Sequence, residues 1–350
     1  MQKIIILILT TSLFTKSLFG QKIPFSELPK VELHQHLDCS LSYEVVKKIK
    51  PQISYKQYQE SFIAPPKCNN LADYIKRAIK GFELMQTKKE LRLVTLDLIK
   101  QLKRDNIVYA EIRFAPLQHI FKGLKPNEVV EVVKQATEEG SKKYGVEIGI
   151  ILCTLRHFTE AQSLETAELV KKYYGTHIVG FDIAADEAGF PINNNIKAFE
   201  MIRQFGIPCT AHAGEAKGAE SVWETLLNFH PQRIGHGVRS IEDSALLTYL
   251  KNNNIHLEVC PTSNIQTNVF DKIENHSLNQ IYKSGVSMSI NTDCRTISNI
   301  TLNSEYQLVK NIFNWNLEQF KKCNLEAIDH SFASQQVKDQ IKNKIIKAYR

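Results

Sequence analysis

The chain has 350 residues, of which 43% are hydrophobic and 23% are charged, and these are the proportions of an ordinary globular protein. With 15 glycines and 11 prolines, collagen-like and low-complexity sequences are excluded. No internal stretch reaches the roughly 20 apolar residues that a membrane span needs, which excludes a multi-pass membrane protein. The net charge of +7 is spread along the chain rather than clustered, which argues against nucleic acid as a partner.

The amino terminus has the layout of a secretory signal peptide. A short start that contains Lys3 is followed by the apolar run 4–14, and after Lys16 the residues Ser17 and Gly20 are small. This pattern predicts a cleaved signal over residues 1–20 and an exported protein, periplasmic or secreted, with no stable membrane span after cleavage. If the signal is not used, we expect a cytoplasmic protein.

The seven cysteines are at least 29 residues apart and form no CxxC pair. Zinc ribbons and thioredoxin-like motifs are therefore excluded. An odd number of cysteines in a chain of this length indicates buried thiols rather than a disulfide framework, which argues mildly against export.

Strand-like and helix-like segments alternate from residue 28 onward. Eight short segments rich in Val and Ile predict strands: Lys30–His36, Ile107–Phe114, Glu147–Thr154, Ile178–Ile183, Ile207–His212, Arg233–Gly235, Ile255–Val259 and Val286–Ile290. Amphipathic segments between them predict helices: Asn127–Tyr144, Leu164–Tyr174, Ala198–Phe205, Ala219–Asn228 and Ile241–Asn252. Repeated strand–helix units imply parallel strands with right-handed crossovers, and eight of them favour a closed (β/α)₈ TIM barrel of the α/β class.

The connection between the first two strands is about seventy residues long. It contains three further helical segments, Tyr43–Ile49, Leu71–Leu84 and Lys89–Arg104, and we expect it to cover the mouth of the active site. The tail from Glu305 onward is also amphipathic and helical. Because the chain has no linker, internal repeat or low-complexity tract, we expect residues 21–350 to form a single domain.

Two histidines stand at the end of the first predicted strand. In a strand, residues i and i+2 face the same side, so His34 and His36 project together. Two imidazoles that share one space suit a divalent metal such as zinc, although an isolated His-x-His pattern is more often structural.

Four more polar residues end other predicted strands. His212 ends the fifth strand and Glu215 lies one short turn later, His236 follows the sixth strand, and Asp293 follows the eighth. Each has an ordinary explanation alone, such as a buried structural histidine or a helix N-cap. Together they lie on the face of the barrel that carries active sites, and barrel closure brings the eighth strand beside the first. The combination therefore predicts one metal-dependent catalytic site.

These motifs resemble the adenosine deaminase family, and the match runs in order from about residue 28 to residue 306. The resemblance is carried by the residues around His34 and His36 and by the segments Val108–Arg113, His212–Glu215, Gly235–Gly237, Glu258–Asn264 and Asn291–Asp293. It implies hydrolytic deamination of adenosine, and of 2′-deoxyadenosine, to inosine and ammonia. The implied partners are a purine nucleoside and water.

The resemblance also assigns roles to residues. It implies one zinc ion per chain, with the ligands His34, His36, His212 and Asp293 and one position left for water. Glu215 corresponds to the residue that donates a proton to purine N1, and this role requires a raised pKa in a dry pocket.

The remaining assignments concern the residue that activates water and the residues that contact the substrate. His236 corresponds to the residue that takes the water's proton and holds the nucleophile. Asp38 corresponds to the partner of the ribose 5′-hydroxyl, and the backbone at Ala185 to the contact with purine N3. His36 also borders the substrate. Two further residues, Ser263 and Asn264, are expected to support the metal face.

Three positions depart from the family pattern. Cys294 stands where most members carry an acid or amide that contacts purine N7, whereas Cys39 and Ala185 each replace a usual glycine. The loss of one neutral hydrogen bond costs about 0.5–1.5 kcal/mol, or roughly three- to tenfold in affinity. These changes therefore bear on purine specificity more than on the type of reaction.

Three alternatives remain at this stage. A deaminase of adenine or of an N6-modified purine would use the same site. A binuclear amidohydrolase would need a bridging lysine at the end of the fourth strand, and the segment 180–185 has none. An exported binding protein that kept the barrel without catalysis is disfavoured by the intact ligand set and by the presence of His236 and Glu215.

Overall fold

The computed structural model describes residues 24–349, and its framework is eight parallel strands. The strands are β1 (Lys30–His36), β2 (Ile107–Phe114), β3 (Glu147–Leu155), β4 (Ile178–Ala184), β5 (Thr210–Ala213), β6 (Arg233–His236), β7 (His256–Val259) and β8 (Met288–Ile290). They form two four-stranded parallel sheets, one in the order β1-β2-β3-β4 and the other in the order β5-β6-β7-β8.

Backbone hydrogen bonds join the two sheets at both seams. Between β4 and β5, the Phe181 N–H donates to the Pro208 carbonyl at 3.2 Å. Between β1 and β8, the His36 N–H donates to the Asp293 carbonyl at 2.9 Å, and the Asp293 N–H donates to the His34 carbonyl at 3.0 Å. The eight strands therefore close into a barrel, as the alternating pattern predicts.

Fifteen α-helices lie in the described part of the chain. They are α1 (Tyr43–Ile49), α2 (Tyr55–Phe62), α3 (Leu71–Phe82), α4 (Lys88–Arg104), α5 (Pro126–Tyr144), α6 (Glu160–Tyr173), α7 (Ile196–Gln204), α8 (Ala219–Phe229), α9 (Ser244–Asn252), α10 (Pro261–Gln266), α11 (Leu278–Ser284), α12 (Arg295–Ser298), α13 (Leu302–Phe313), α14 (Leu317–His330) and α15 (Gln335–Ala348). Within residues 24–349, no helix combines the length and the apolarity needed to cross a membrane.

Local sequence signals explain where the elements begin and end. The helix α5 starts at Pro126, whose missing N–H costs nothing in a first turn, and it stops at Gly145, which has a φ of 67°. The strand β5 begins at Thr210 rather than at the predicted Ile207, because Pro208 has no N–H for the ladder. The helix α2 was not predicted, although Ser54 and Gln57 form its capping box.

The long connection between β1 and β2 lies over the carboxyl end of the barrel, as expected. Its helix α3 packs directly on the loop that follows β1. A Cβ at Gly81 would lie 2.0 Å from the backbone oxygen of Asp38, so only glycine permits this approach. The connection therefore forms one wall of the space above the strands.

All seven cysteines are buried free thiols, which confirms that they do not form a disulfide framework. The predicted signal segment, residues 1–20, lies outside the described residues.

Candidate active site

The histidines predicted from the strand ends meet at the carboxyl end of the barrel. The ring centroids of His34 and His212 are 4.6 Å apart, and those of His36 and His212 are 5.2 Å apart. The His236 ring lies 4.8 Å from His34. Asp293, three residues after the end of β8, reaches the same group because its backbone is hydrogen-bonded to β1. The structure therefore brings together all the residues for which a metal role was expected.

The distances between donor atoms fit a small divalent cation. The Nε2 atoms of His36 and His212 are 3.2 Å apart. Asp293 Oδ1 lies 3.4 Å from His34 Nε2 and 3.3 Å from His36 Nε2. Tetrahedral zinc ligands with bonds of about 2.0–2.1 Å are about 3.3–3.4 Å apart. Among the described residues, the buried His34 Nε2 has no hydrogen-bond partner.

Carboxylates behind two of the histidines fix which ring nitrogen faces the centre. Glu258 Oε2 lies 2.8 Å from His34 Nδ1, and Asp182 Oδ2 lies 3.1 Å from His212 Nδ1. Because an ionised carboxylate only accepts hydrogen bonds, each Nδ1 carries a proton, and in the neutral imidazole each Nε2 then presents a lone pair. Carboxylate–histidine pairs of this kind orient the ligands of metal sites.

A buried arginine holds both of these carboxylates. Arg113 donates from Nη1 to Asp182 at 2.8 Å and from Nη2 to Glu258 at 2.6 Å. Although burial opposes ionisation, Arg113 and Arg233 hold the pKa of Glu258 well below its usual range. The two carboxylates are therefore charged in the barrel interior, and the histidine tautomers are stable.

His236 differs from the other three histidines in its partners. Asn264 Nδ2 lies 3.0 Å from its Nδ1, and Glu215 Oε2 lies 3.5 Å from its Nε2. A ligand atom of His236 lies within 4.8 Å of those of His34, His212 and Asp293. Geometry alone therefore leaves both His36 and His236 near enough to complete a metal site, and their other partners distinguish them.

Glu215 lies in a loop that a second glutamate holds in place. Glu187 accepts hydrogen bonds from the backbone N–H groups of Gly214 at 2.8 Å and Glu215 at 3.0 Å, and from Ser221 Oγ at 2.5 Å. Burial raises the pKa of Glu215 well above its usual value, and the Asp293 and Glu187 carboxylates raise it further. These surroundings therefore favour the protonated, neutral form of Glu215.

A cavity of about 330 Å³ opens above these groups, a size typical of small-molecule sites. Eight of the nine residues predicted for the site line it, and the ninth, His34, is buried behind them. The eight are His36, Asp38, Ala185, His212, Glu215, His236, Asp293 and Cys294. Helix α3 forms the opposite wall. All the residues expected to catalyse the reaction or to bind substrate therefore belong to one pocket.

The supporting contacts include two that were expected and several that were not. Ser263 donates to Asp293 Oδ2 at 2.7 Å, and Asn264 contacts His236, so both contact residues of the site. Both lie on the short helix α10. Glu258 and Asp182 were not assigned roles from the sequence, although a charged residue inside an apolar strand indicates a buried, paired group.

The side chain of His119 was also missed. It is fully buried, its Nδ1 donates to the Met85 carbonyl at 3.0 Å, and its Nε2 lies 3.8 Å from Asp38 Oδ2. A single histidine in a loop gives no sequence signal for such a role. The imidazole therefore lies beside Asp38 at the wall of the pocket.

Ala185 has a φ of 81°, a left-handed conformation that costs a non-glycine residue about 1–2 kcal/mol. We predict that Ala185→Gly raises the free energy of unfolding by about 1 kcal/mol, measured by urea denaturation. The neighbouring Ala184→Gly, inside β4, is the matched control and should lower it by about 0.5–1 kcal/mol. Equal effects of the two substitutions would contradict strain at residue 185.

This fold and site define a metal-dependent hydrolase of the (β/α)₈ barrel class. The family model for adenosine deaminase matches residues 29–348. The chain is also 34% identical over 325 residues to an adenosine deaminase of Clostridium acetobutylicum, with 91% of this chain and 97% of that protein covered. The chain therefore belongs to the adenosine deaminase family, and the non-catalytic alternative is not supported.

Solved structures with the same fold are less similar in sequence. An adenine deaminase from Arthrobacter aurescens has a TM-score of 0.84 at 22% identity, covering 91% of this chain and 98% of that one. An amidohydrolase from Burkholderia ambifaria, solved with bound zinc, has a TM-score of 0.85 at 18% identity, covering 95% and 94%. The N6-mAMP deaminase of Arabidopsis has a TM-score of 0.82 at 23% identity, covering 93% and 99%. These likenesses confirm the barrel.

Proposed function

We propose that this enzyme deaminates adenosine, and 2′-deoxyadenosine, to inosine and ammonia with one zinc ion. One observation carries the proposal: three imidazole Nε2 atoms and the Asp293 carboxylate converge at the pocket that is lined by the buried carboxyl group of Glu215. The curated relatives from Clostridium acetobutylicum and Clostridium perfringens, named adenosine deaminase, are each 34% identical to this chain.

Zinc is the metal that this donor set favours, because nitrogen and oxygen ligands at tetrahedral spacing suit it. His34, His36, His212 and Asp293 would hold it, and when bound it would act as a Lewis acid that lowers the pKa of water to about 7. The Asp182 and Glu258 carboxylates keep the ligating nitrogens turned toward the centre. The segment at the end of β4 has no lysine to bridge a second metal, so we propose one ion per chain.

Glu215 supplies the proton in this proposal. Its Oε1 is buried and, within residues 24–349, has no hydrogen-bond partner, so it is available to a substrate atom in the pocket. A neutral carboxylic acid can donate a proton to the ring nitrogen next to the carbon under attack. Glu187 holds the loop so that Glu215 stays in this position.

Asp38 and Cys294 bear on which purine is bound. Although burial opposes ionisation, His119 lowers the pKa of Asp38, which leaves a carboxylate to accept a hydrogen bond from a ribose hydroxyl. Burial raises the pKa of Cys294 well above its usual value, so residue 294 is a neutral thiol and a weak partner for a purine nitrogen. We propose a nucleoside substrate with weakened recognition of the purine ring.

A substrate panel tests the proposal. Purified enzyme with quantified zinc is incubated with adenosine, 2′-deoxyadenosine, adenine, AMP and N6-methyladenosine, and the product is identified in each case. We expect the highest kcat/KM with adenosine, followed by 2′-deoxyadenosine. Preference for adenine, for AMP or for N6-methyladenosine would replace the proposed substrate, and no turnover of any of them by zinc-loaded enzyme would refute the function.

Removal of the metal is expected to affect both the activity and the stability of the protein. Dialysis against a chelator should lower adenosine turnover at least about 100-fold and lower the melting temperature, because ligand binding stabilises the folded state. Addition of one equivalent of zinc should restore both. Full activity after metal removal, or two ions per chain by elemental analysis, would contradict a single catalytic zinc.

Export of the mature protein is a separate proposal, supported by the charged start and the apolar run 4–14. Amino-terminal sequencing of protein isolated from its native cells tests it. A mature chain that begins near residue 21 is expected, and an intact Met1 would exclude cleavage.

A further inference from the structure

A chain of buried hydrogen bonds leads from a backbone amide to His236. The Leu278 N–H donates to His276 Nδ1 at 2.9 Å. Because a backbone N–H can only donate, His276 Nδ1 accepts, and the proton of this imidazole is on Nε2. That Nε2 lies 3.1 Å from Asn264 Oδ1 and donates to it. The orientation of the Asn264 amide is therefore fixed by an unambiguous donor.

The orientation of the Asn264 amide in turn determines which ring nitrogen of His236 accepts a hydrogen bond. With its Oδ1 engaged by His276, Asn264 turns its NH₂ group to His236 Nδ1 at 3.0 Å. An amide NH₂ group only donates, so His236 Nδ1 accepts and the ring proton is on Nε2. Asn264, His236 and His276 are all buried, so water cannot replace these bonds.

We infer that His276 and Asn264 form a relay that holds His236 as an Nε2–H donor in the active site. His236 then donates a hydrogen bond to the attacking oxygen and does not take a proton from it. The proton of the attacking water would instead be released to solvent, because a bound zinc ion would lower the pKa of that water to about 7. His276 and Asn264 are positioning residues, because they act through His236. The consequence for catalysis rests on the proposed function, whereas the position of the ring proton does not.

The relay also determines which oxygen of Glu215 carries the acid proton. The His236 Nε2–H faces Glu215 Oε2 at 3.5 Å, where an oxygen with a free lone pair is favoured. Oε1 is the oxygen without a protein partner among residues 24–349. In the protonated form of Glu215 the proton is therefore on Oε1, which is free to donate to a substrate nitrogen.

This assignment differs from the role that the family resemblance implies for His236. A histidine that removes a proton through Nε2 needs a proton on Nδ1 and an acceptor beside it, which is the task of the aspartate in Ser-His-Asp triads. Here residue 264 is an amide whose carbonyl oxygen is already engaged by His276. The available group beside Nδ1 is a donor, which is the opposite arrangement.

Nitrogen NMR of the full-length, zinc-loaded enzyme tests the tautomer directly. Protein labelled with ¹⁵N-histidine is recorded with and without the substitution His236→Gln, and the signals that disappear belong to His236. We expect a protonated Nε2 and an unprotonated Nδ1. A proton on Nδ1 would overturn the inference, whatever the activity of the enzyme.

The substitution Asn264→Asp reverses the last step of the relay. The carboxylate still accepts from His276, but it now also accepts from His236 Nδ1, so the His236 proton should move to Nδ1. We expect kcat for adenosine to fall about 100-fold with KM little changed, because the donor in the site is lost. Retained or increased kcat together with the moved proton would show that His236 acts as a base and would overturn the inference.

Two controls separate the relay from a general loss of stability. Asn195→Asp makes the same change at a buried amide that donates to Ser163 Oγ at 2.8 Å, and it should lower the melting temperature but leave kcat unchanged. His276→Phe should lower kcat about tenfold, whereas His276→Gln, which keeps an N–H donor, should restore it. Equal effects of the two His276 variants would contradict the relay. If the wild-type enzyme does not act on adenosine, the proposed function is refuted. The inference about the His236 proton is not affected, because the NMR experiment measures it independently of activity.

Discussion

Replacement of His236 by alanine should lower kcat for adenosine about 10³-fold while the fold and the metal content stay near normal. The imidazole is buried, faces Glu215 at 3.5 Å and lies beside the histidines that converge on the metal position. Its loss removes a donor from the place where charge develops during attack on the ring. Steady-state kinetics, elemental analysis of zinc and circular dichroism on the same preparation provide the measurement.

The substitution His36→Ala is the matched control, because both imidazoles are near enough to complete the metal site. His36 is close to His212 and Asp293 and, unlike His236, lacks an amide partner among the described residues. Burial lowers the pKa of His36 to about 3, which leaves a neutral ring with a lone pair for a cation. We expect His36→Ala to lose zinc and His236→Ala to keep it. The reverse result would exchange the two roles.

The framework of the barrel was predictable because parallel strands in this class are short and apolar and alternate with amphipathic helical segments. The first two strands agree with the predicted bounds, and the others differ at their ends. The differences have local causes, such as Pro208 before β5. The missed helix α2 is short, and its capping box at Ser54 was the signal for it. Length and periodicity predict elements better than they predict their ends.

The candidate site was predictable to the extent that its residues stand at strand ends. His34, His212 and Asp293 share one face because parallel strands in a barrel present their carboxyl ends together. The residues that contact these side chains from behind do not stand at strand ends, so strand positions do not predict them. His119 ends one short 3₁₀ helix and His276 follows another, and the positions of these segments depend on packing of the whole chain. A single histidine in the sequence therefore gives no indication of its partner.

The buried charges explain why the interior could not be predicted in detail. Arg113, Asp182 and Glu258 lie on different strands, and their pairing depends on the strand order and register of the closed barrel. A strand with a charge in an apolar run indicates burial with a partner, but it does not identify the partner. The structure supplies the pairing and thereby the tautomers of His34 and His212.

Replacement of Glu215 by glutamine should lower kcat about 10²–10⁴-fold with little change in KM, because the amide keeps the shape and a hydrogen-bond donor but cannot give up a proton. The Oε1 atom of the wild-type residue, buried without a partner in the described part of the chain, is the position from which that proton would leave. Steady-state kinetics with adenosine, at matched zinc content, measure the loss. Near-wild-type rates would remove Glu215 from the mechanism.

The same substitution should stabilise the metal-free protein at neutral pH, and this separates lost chemistry from lost folding. Burial raises the pKa of Glu215 above the ordinary 4.5, so above that pH folding must protonate a carboxylate that is ionised in the unfolded chain. The wild type therefore loses stability as pH rises from 4.5 toward the folded pKa, and glutamine removes this cost. Glu187→Gln, which instead disturbs the acceptor of the Gly214 and Glu215 amides, should lower both stability and activity. If Glu215→Gln melts at a lower temperature than the wild type across this pH range, the residue is not held neutral in the folded protein.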